Sequence, residues 1–527
     1  MTAPAIWRTL WPGLGLLLGL RLAYAFIALP NPDEAYYWLW GQQLDWSYYD
    51  HPPLHAWIQS CFDMVLGPGR WVLRLPTLLS SGLFFGTYFR ICRYLYGPQG
   101  RLAFGVLLSA LLASPLYFIY LAMAWQDQWL LAFGLLSAFE LVQFLEGFQV
   151  NRPHYGQLYR AGLYLGLAGL CKYTAVLVGI AGLGVIVTQV RPLFKQGPFY
   201  GAVAIALLCQ LPILIWNAQN DWLSVAYYLT RSIDSGSPGF QLKPLEVIGF
   251  WGLCGLILSP IVTWALWRGC RSRILAHCPP LYRAMAVWLF GSSTGILSAV
   301  ALFSTALHYW NILAYLLLLP LLPTIFLKVG HVNSGLPQVP VSATVFPPQP
   351  RPPIELRPAW QHRRLFQLMQ GLGIVVAAAL LVNVTLLPLA TLAGPEGDEE
   401  SRILYGWEQI ADTVQQQQTQ LSLETSLVTT DYRSAALLAY ALRHTNDRPK
   451  ESHPVNVLAL SKRKDQFDVW AARQGAIDQP TLVLADTWHP LTPQVIEQLG
   501  PLDTAVSIAI RRWGTLIKTY QLYVSQP

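Results

Sequence analysis

The apolar run 161–190, AGLYLGLAGLCKYTAVLVGIAGLGVIVTQV, carries a single charge, Lys172. As one continuous helix it would be ~45 Å long at ~1.5 Å per residue, too long for one crossing of a ~30 Å hydrocarbon core. Two short helices meeting at Lys172 and Tyr173 fit the length better. Nine further segments join these into eleven candidate spans, near 7–29, 68–90, 101–122, 127–147, 161–175, 176–190, 198–216, 245–267, 284–305, 309–327 and 368–392. Charge tests the division. Lys- and Arg-rich loops stay cytoplasmic, and the basic loops hold Arg90/Arg93/Arg101, Arg152/Arg160, Arg191/Lys195, Arg268/Arg271/Arg273/Arg283 and Arg351/Arg357/Arg363/Arg364. With a cytoplasmic N-terminus and the run 161–190 split in two, all of them fall inside. Asp33, Glu34, Asp45, Asp50, Asp127, Asp221 and Asp234 then lie outside.

Composition agrees. Only 12% of the 527 residues are charged and 54% are hydrophobic, whereas a soluble domain carries about 25% charge. The net charge of +7 is scattered through short loops, a distribution that orients a membrane protein rather than one that binds nucleic acid. The seven cysteines form no CxxC or Cys/His cluster, so neither a disulfide framework nor a zinc site is expected. The first apolar run exceeds the 7–15 residues of a signal-peptide core and reads as an uncleaved helix.

The expected architecture is therefore an α-helical polytopic membrane protein with a small C-terminal α/β domain. Residues 1–328 form the multi-span membrane domain and 329–366 a Pro-rich cytoplasmic linker; 367–394 hold the last transmembrane helix and 395–527 an outer-face domain. In that last part 16 of the chain's 28 acidic residues gather. Strand-like "SLVTTDY", "VNVLAL", "TLVLAD" and "IKTYQLYV" alternate with helical stretches at 402–420, 433–443 and 492–499. No catalytic constellation is visible in this domain.

Chemistry-bearing residues gather in the outer loops. The first holds "NPDEAYYWLW" (31–40) and "DWSYYDHPPL" (45–54). Asp33 and Glu34 follow a span directly, where desolvation raises a carboxyl group toward neutrality and suits it to general-base work. Asp50 and His51 follow, and Tyr36 and Tyr37 are candidates to stack on a sugar; an interfacial aromatic belt with a few solvated acids is the plainer alternative. Asp127 opens the fourth span, where a helix-capping role competes. Lys172 in an apolar run is costly and functional by default, and its ammonium could hold a phosphate. Arg231 and the pair His308/Asn311 in "HYWNILAY" face the same side.

At these residues the chain resembles the bacterial polyprenyl-phosphate-dependent glycosyltransferases of the GT-C superfamily, in the branch of protein O-mannosyltransferases and lipid A aminoarabinose transferases. The matching pieces, in order, are "DEAYYWLWGQQLDWSYYDHPPLHAW", "RLPTLL", "LYGPQGRLAFGVLL", the Asp of "WQDQWL", "GLCKYTAVLVG", "WNAQNDWLSVAYYL", "HYWNILAY", "GWEQIA" and "SKRKDQFDVW". The resemblance implies a plasma-membrane enzyme with a periplasmic or extracellular site. Its donor would be a polyprenyl-phosphate-linked sugar and its acceptor a lipid, glycan or protein hydroxyl. Asp33 matches the catalytic base, Glu34 its neighbour, Asp127 the second acid, and Lys172 the lysine beside the lipid phosphate. A divalent ion is a candidate cofactor, because some relatives bind one, with Asp33, Asp127 and His51 as ligands; no spacing demands it. The rival reading, a lipid flippase or secondary transporter, expects internal repeats and acids at the bilayer midplane. No repeat is apparent, and Glu140 is the one mid-span acid.

Overall fold

A computed structural model describes residues 3–67, 69–232, 242–271, 274–330, 354–392, 398–421, 426–444, 457–461, 463–474 and 481–525. Four of its helices are long and apolar enough to cross a membrane: Ile6–Ile27, Gln126–Gln149, Pro280–Phe303 and Arg363–Thr385. The number rises to eight if each bent helix pair is one span. Proline sets most of the bends, because it lacks the N–H that continues a helix and clashes with the preceding turn. Pro115, Pro212 and Pro260 each stand in the first turn after a break, and the chain turns there by 84°, 42° and 103°.

The run 161–190 is divided as its length demands. Helix Tyr155–Gly169 ends before Lys172, a short 3₁₀ turn covers Tyr173–Ala175, and Val176–Gln189 resumes as α-helix. The first of these helices packs on Gly197–Leu208 through Gly162 and Gly166. A Cβ on Gly162 would collide with the Ala202 carbonyl, and one on Gly166 would come within 2.7 Å of the Cys209 Cβ. Small residues four apart permit this close approach of backbones in lipid. Outward-facing Leu207, Leu208, Leu245 and Ile248 are more than half exposed, the surface that hydrocarbon would cover.

The expected span at 309–327 differs. It runs as 3₁₀ turns over His308–Tyr315 and Leu319–Leu321, then a short helix Pro323–Phe326, because Pro320 and Pro323 interrupt the leucine run. The Pro-rich segment is also tied at its flanks: β1 (Leu327–Val329) pairs antiparallel with β2 (Leu356–Trp360), and the following helix begins at Arg363. Most of the expected linker, 331–353, lies outside the described residues.

Residues 398–525 form an α/β unit with five strands: β3 (Ser426–Thr429), β4 (Val457–Ala459), β5 (Thr481–Asp486), β6 (Leu502–Arg512) and β7 (Thr515–Ser525). Their order is β4-β3-β5-β7-β6, with β3 parallel to both neighbours and β7 antiparallel to β5 and β6. Trp513 and Gly514, both at positive φ, close the β6–β7 hairpin, as a tight two-residue turn requires. Helix Tyr432–His444 of this unit packs on the first-loop helix Pro32–Gln42. Tyr36, Trp38, Trp40, Tyr440, Phe467 and Trp470 are buried in one continuous core.

Candidate active site

The first loop is a helix rather than a coil. Asn31 and Glu34 form a capping box: the Asn31 side chain accepts from the Asp33 N–H at 3.0 Å, and the Asn31 N–H donates to Glu34 at 2.9 Å. Glu34 is fully buried. Its carboxylate takes a two-pronged ion pair from Arg74, with Nε 2.7 Å from Oε1, and a further N–H from Ala124 at 2.6 Å. Arg74 spends its other donors on the carbonyls of Ala28 and Leu29 at the end of the first helix. Glu34 therefore locks the loop helix to the membrane helices.

Asp33, one residue earlier, points elsewhere. It is half-buried, and no donor reaches its carboxylate among the described residues. Burial pushes it up to about 6, with the carboxylates of Glu400 and Asp50 adding to the shift and Arg463 and Arg433 opposing it. Its helix position leaves it accessible while these surroundings hold its proton near neutral pH.

Asp127 and Lys172 form a buried ion pair, with Nζ 2.8 and 2.9 Å from the two carboxylate oxygens. Lys172 Nζ also lies 5.5 Å from the centre of the Tyr309 ring. Tyr309 stacks on Tyr120, and the Tyr120 hydroxyl lies in the fields of both Asp127 and Asp33. Tyr120 thus connects to the lysine through the Tyr309 ring, and its hydroxyl feels the charge of both acids. An ammonium has three N–H donors; Asp127 takes two and one remains.

Several expected residues serve the frame. Tyr36 is 1% exposed, stacked on Phe467 and edge-on to Trp40. Its hydroxyl donates to Asp50 at 2.7 Å and accepts from the Gln466 N–H, so it offers no ring face to a sugar. Tyr37 is also buried, with Gln126 Nε2 3.4 Å from its hydroxyl. His51 Nδ1 lies 3.0 Å from the Tyr228 hydroxyl, which donates to the Asp50 carbonyl. Asn311 is buried and bonds Ser293, Thr294 and Tyr315, so it staples helix Pro280–Phe303 to the turn at 308–315. His308 is half-buried. The Arg231 side chain lies outside the described residues. The triad Asp33, Asp127 and His51 is not assembled as a metal site: Asp127 is taken by Lys172 and His51 faces Tyr228. Among the described residues no group of three His, Cys, Asp or Glu side chains could hold an ion. Glu140, the mid-span acid, is clamped by Arg90 at 2.8 Å and Arg160 at 2.7 Å.

The C-terminal unit, which shows no catalytic pattern in sequence, supplies the rest of the site's electrostatics. Arg463 follows β4, and its Nη2 lies 3.4 Å from Asp50. Arg433 follows β3 and pairs with Asp431, Glu399 and Glu400. Tyr432 lies in the field of Asp33. Ligands of open α/β sheets bind at the carboxyl ends of the strands, and that end of this sheet faces the first loop.

The fold as a whole is similar to that of solved membrane-protein structures. ArnT from Cupriavidus metallidurans superposes on the whole chain, with a TM-score of 0.57 in its apo state over 100% of this chain and 99% of that one. The undecaprenyl phosphate-bound form gives 0.58 over 97% of each; at 16% identity both likenesses concern the fold alone. Residues 50–216 match the dolichyl-phosphate-mannose-protein mannosyltransferase family. The lipid A galacturonosyltransferase RgtD of Rhizobium johnstonii is 27% identical over 316 residues, 58% of this chain and 63% of that protein's length.

Proposed function

We propose that the chain is an inverting membrane glycosyltransferase that moves a sugar from a polyprenyl-phosphate carrier to an acceptor hydroxyl at the outer face of the membrane. The N-terminus is cytoplasmic in this reading, and the C-terminal unit sits over the site on the outer face. The observation that carries the proposal is an accessible acid held near neutrality together with an acid-bound lysine that keeps one donor to spare. Similarity to a lipid A galacturonosyltransferase favours a lipid acceptor and an acidic sugar.

Asp33 takes the proton of the acceptor hydroxyl. The oxygen bonds the anomeric carbon from one face as the bond to phosphate breaks on the other, and the electron pair leaves with the polyprenyl phosphate. The remaining N–H of Lys172 meets that charge, fixed in place beforehand by Asp127. Glu34 positions the helix that bears the base.

The test supplies purified wild type and Asp33→Asn with polyprenyl-phosphate sugars and membrane-lipid acceptor, and follows free polyprenyl phosphate by mass spectrometry. Loss of a general base costs about 10²–10⁴-fold, so release should fall by at least the lower figure. The wild-type kcat/KM should rise with pH through about 6, the value burial gives Asp33, because the base must be deprotonated to act. Equal release by the two proteins would remove Asp33 as the base; no release from any donor by folded wild type would sink the reading itself.

A further inference from the structure

The cations named above are not equally occupied. Arg433, 14% exposed, is held by three carboxylates, and Lys172 gives two of its three donors to Asp127. Arg463 differs. Its side chain is 44% exposed, and its polar partners, Asp50 Oδ1 at 3.4 Å and the Tyr227 hydroxyl at 3.3 Å, stand beyond the usual 2.7–3.2 Å range of an N–H···O bond. A guanidinium has five N–H donors in one plane, so most of its capacity is unspent. That plane is held from two sides: Cζ lies 4.8 Å from the centre of the Tyr432 ring and 5.8 Å from that of Tyr227. The two tyrosines come from different parts of the molecule, one from the C-terminal unit and one from the outer-loop helix Leu223–Ser232. Three segments thus meet to orient a fork of donors whose charge reaches the acid proposed as base.

A planar fork of this kind matches an oxyanion with two oxygens. Resting on the transferase reading above, we infer that Arg463 is the subsite for an oxyanion carried by one of the two substrates, either the carboxylate of a uronic sugar on the donor or a phosphate on the acceptor. Asp50 occupies the guanidinium loosely until that group arrives. A substrate without the anion leaves Arg463 with its present partners and forfeits a charge-assisted pair.

The full-length chain in lipid nanodiscs, as wild type, Arg463→Gln and Arg463→Lys, decides the matter. Donors are undecaprenyl-phosphate hexuronate and the corresponding hexose; acceptors are lipid A with and without its phosphates. Arg463→Gln should raise KM for the charged partner on the order of tenfold, as loss of one such pair implies, and leave KM for the uncharged partner unchanged. Lys keeps the charge without the fork and should fall between. The arm that responds identifies the source of the anion. A Gln variant that loses charged and neutral substrates alike, or neither, overturns the inference. Binding of free hexuronate and inorganic phosphate to the same proteins needs no turnover and judges Arg463 separately. Weaker anion binding in the Gln variant supports the subsite and unchanged binding removes it; a wild type that binds these anions but transfers no sugar sinks the transferase reading alone.

Discussion

Adjacent residues in the first loop have opposite fates. Glu34 is enclosed by Arg74, the Ala124 N–H and its own capping box, whereas Asp33 meets no donor among the described residues. By local chemistry alone the two acids are interchangeable: both follow a span, and both fit a desolvated base. The family resemblance ranks them, and the helical phase of Pro32–Gln42, which buries one side chain and leaves its neighbour partly exposed, gives a physical reason. The separation has a measurable form. Glu34→Gln breaks a buried pair and strands Arg74, at a cost of ~3–5 kcal/mol. It should therefore lower the melting temperature in detergent sharply, while Asp33→Asn, which removes an unpaired charge, should leave melting unchanged or raise it. Similar melting of both variants would contradict the division of labour. Lys172 was readable because a cation in an apolar run is conspicuous. Tyr309 and Tyr120 were not, since a chain with 25 tyrosines offers no local mark for the two that flank the lysine.

Among the elements, length and periodicity revealed what they physically control. The break in 161–190 follows from a run too long for one crossing, and β3, β4, β5 and β7 follow from compact β-branched stretches. Strand β6 escaped because it lies at an edge of the sheet and is mostly exposed, so its side chains carry little alternation; helix Gln466–Gln474 escaped because nine residues are too few to show a helical period. That helix begins with an unusual acid. Asp465 caps it by accepting from the Phe467 N–H at 2.8 Å, yet its second oxygen is buried with no partner at hydrogen-bond distance among the described residues. Burial, with Asp468 next, pushes its carboxyl up to about 7. A folded pKa raised from 3.8 gives stability that is fully present below ~pH 4 and fades as pH rises through about 7. Asparagine caps as well as aspartate and cannot ionise. Asp465→Asn should therefore flatten the fall in melting temperature between pH 5 and 8, and an unaltered slope would show that the proton is not held there.

At the scale of the whole molecule, the site is split between the two ends of the chain. Asp33 and Asp50 come from the first loop, Arg433 and Arg463 from beyond the last long helix, and no sequence pattern links positions some 400 residues apart. The joint is made of packing: Phe467 is fully buried against Tyr36 and Trp470, and Gln466 exchanges hydrogen bonds with Tyr36 and the Tyr49 N–H. Phe467→Ala touches none of the groups proposed to meet substrate, yet core truncations of this size cost ~3–5 kcal/mol. It should speed hydrogen exchange in residues 32–42 and lower transfer in parallel, and full activity with an unprotected first loop would refute the coupling. The same joint has a bearing on biosynthesis. Asp33 is translated some 400 residues before Arg433 and Arg463. Through that interval the acid stands without its cationic neighbours, so on the proposed reading a product stalled between them is inert rather than a stray modifier of the cell envelope.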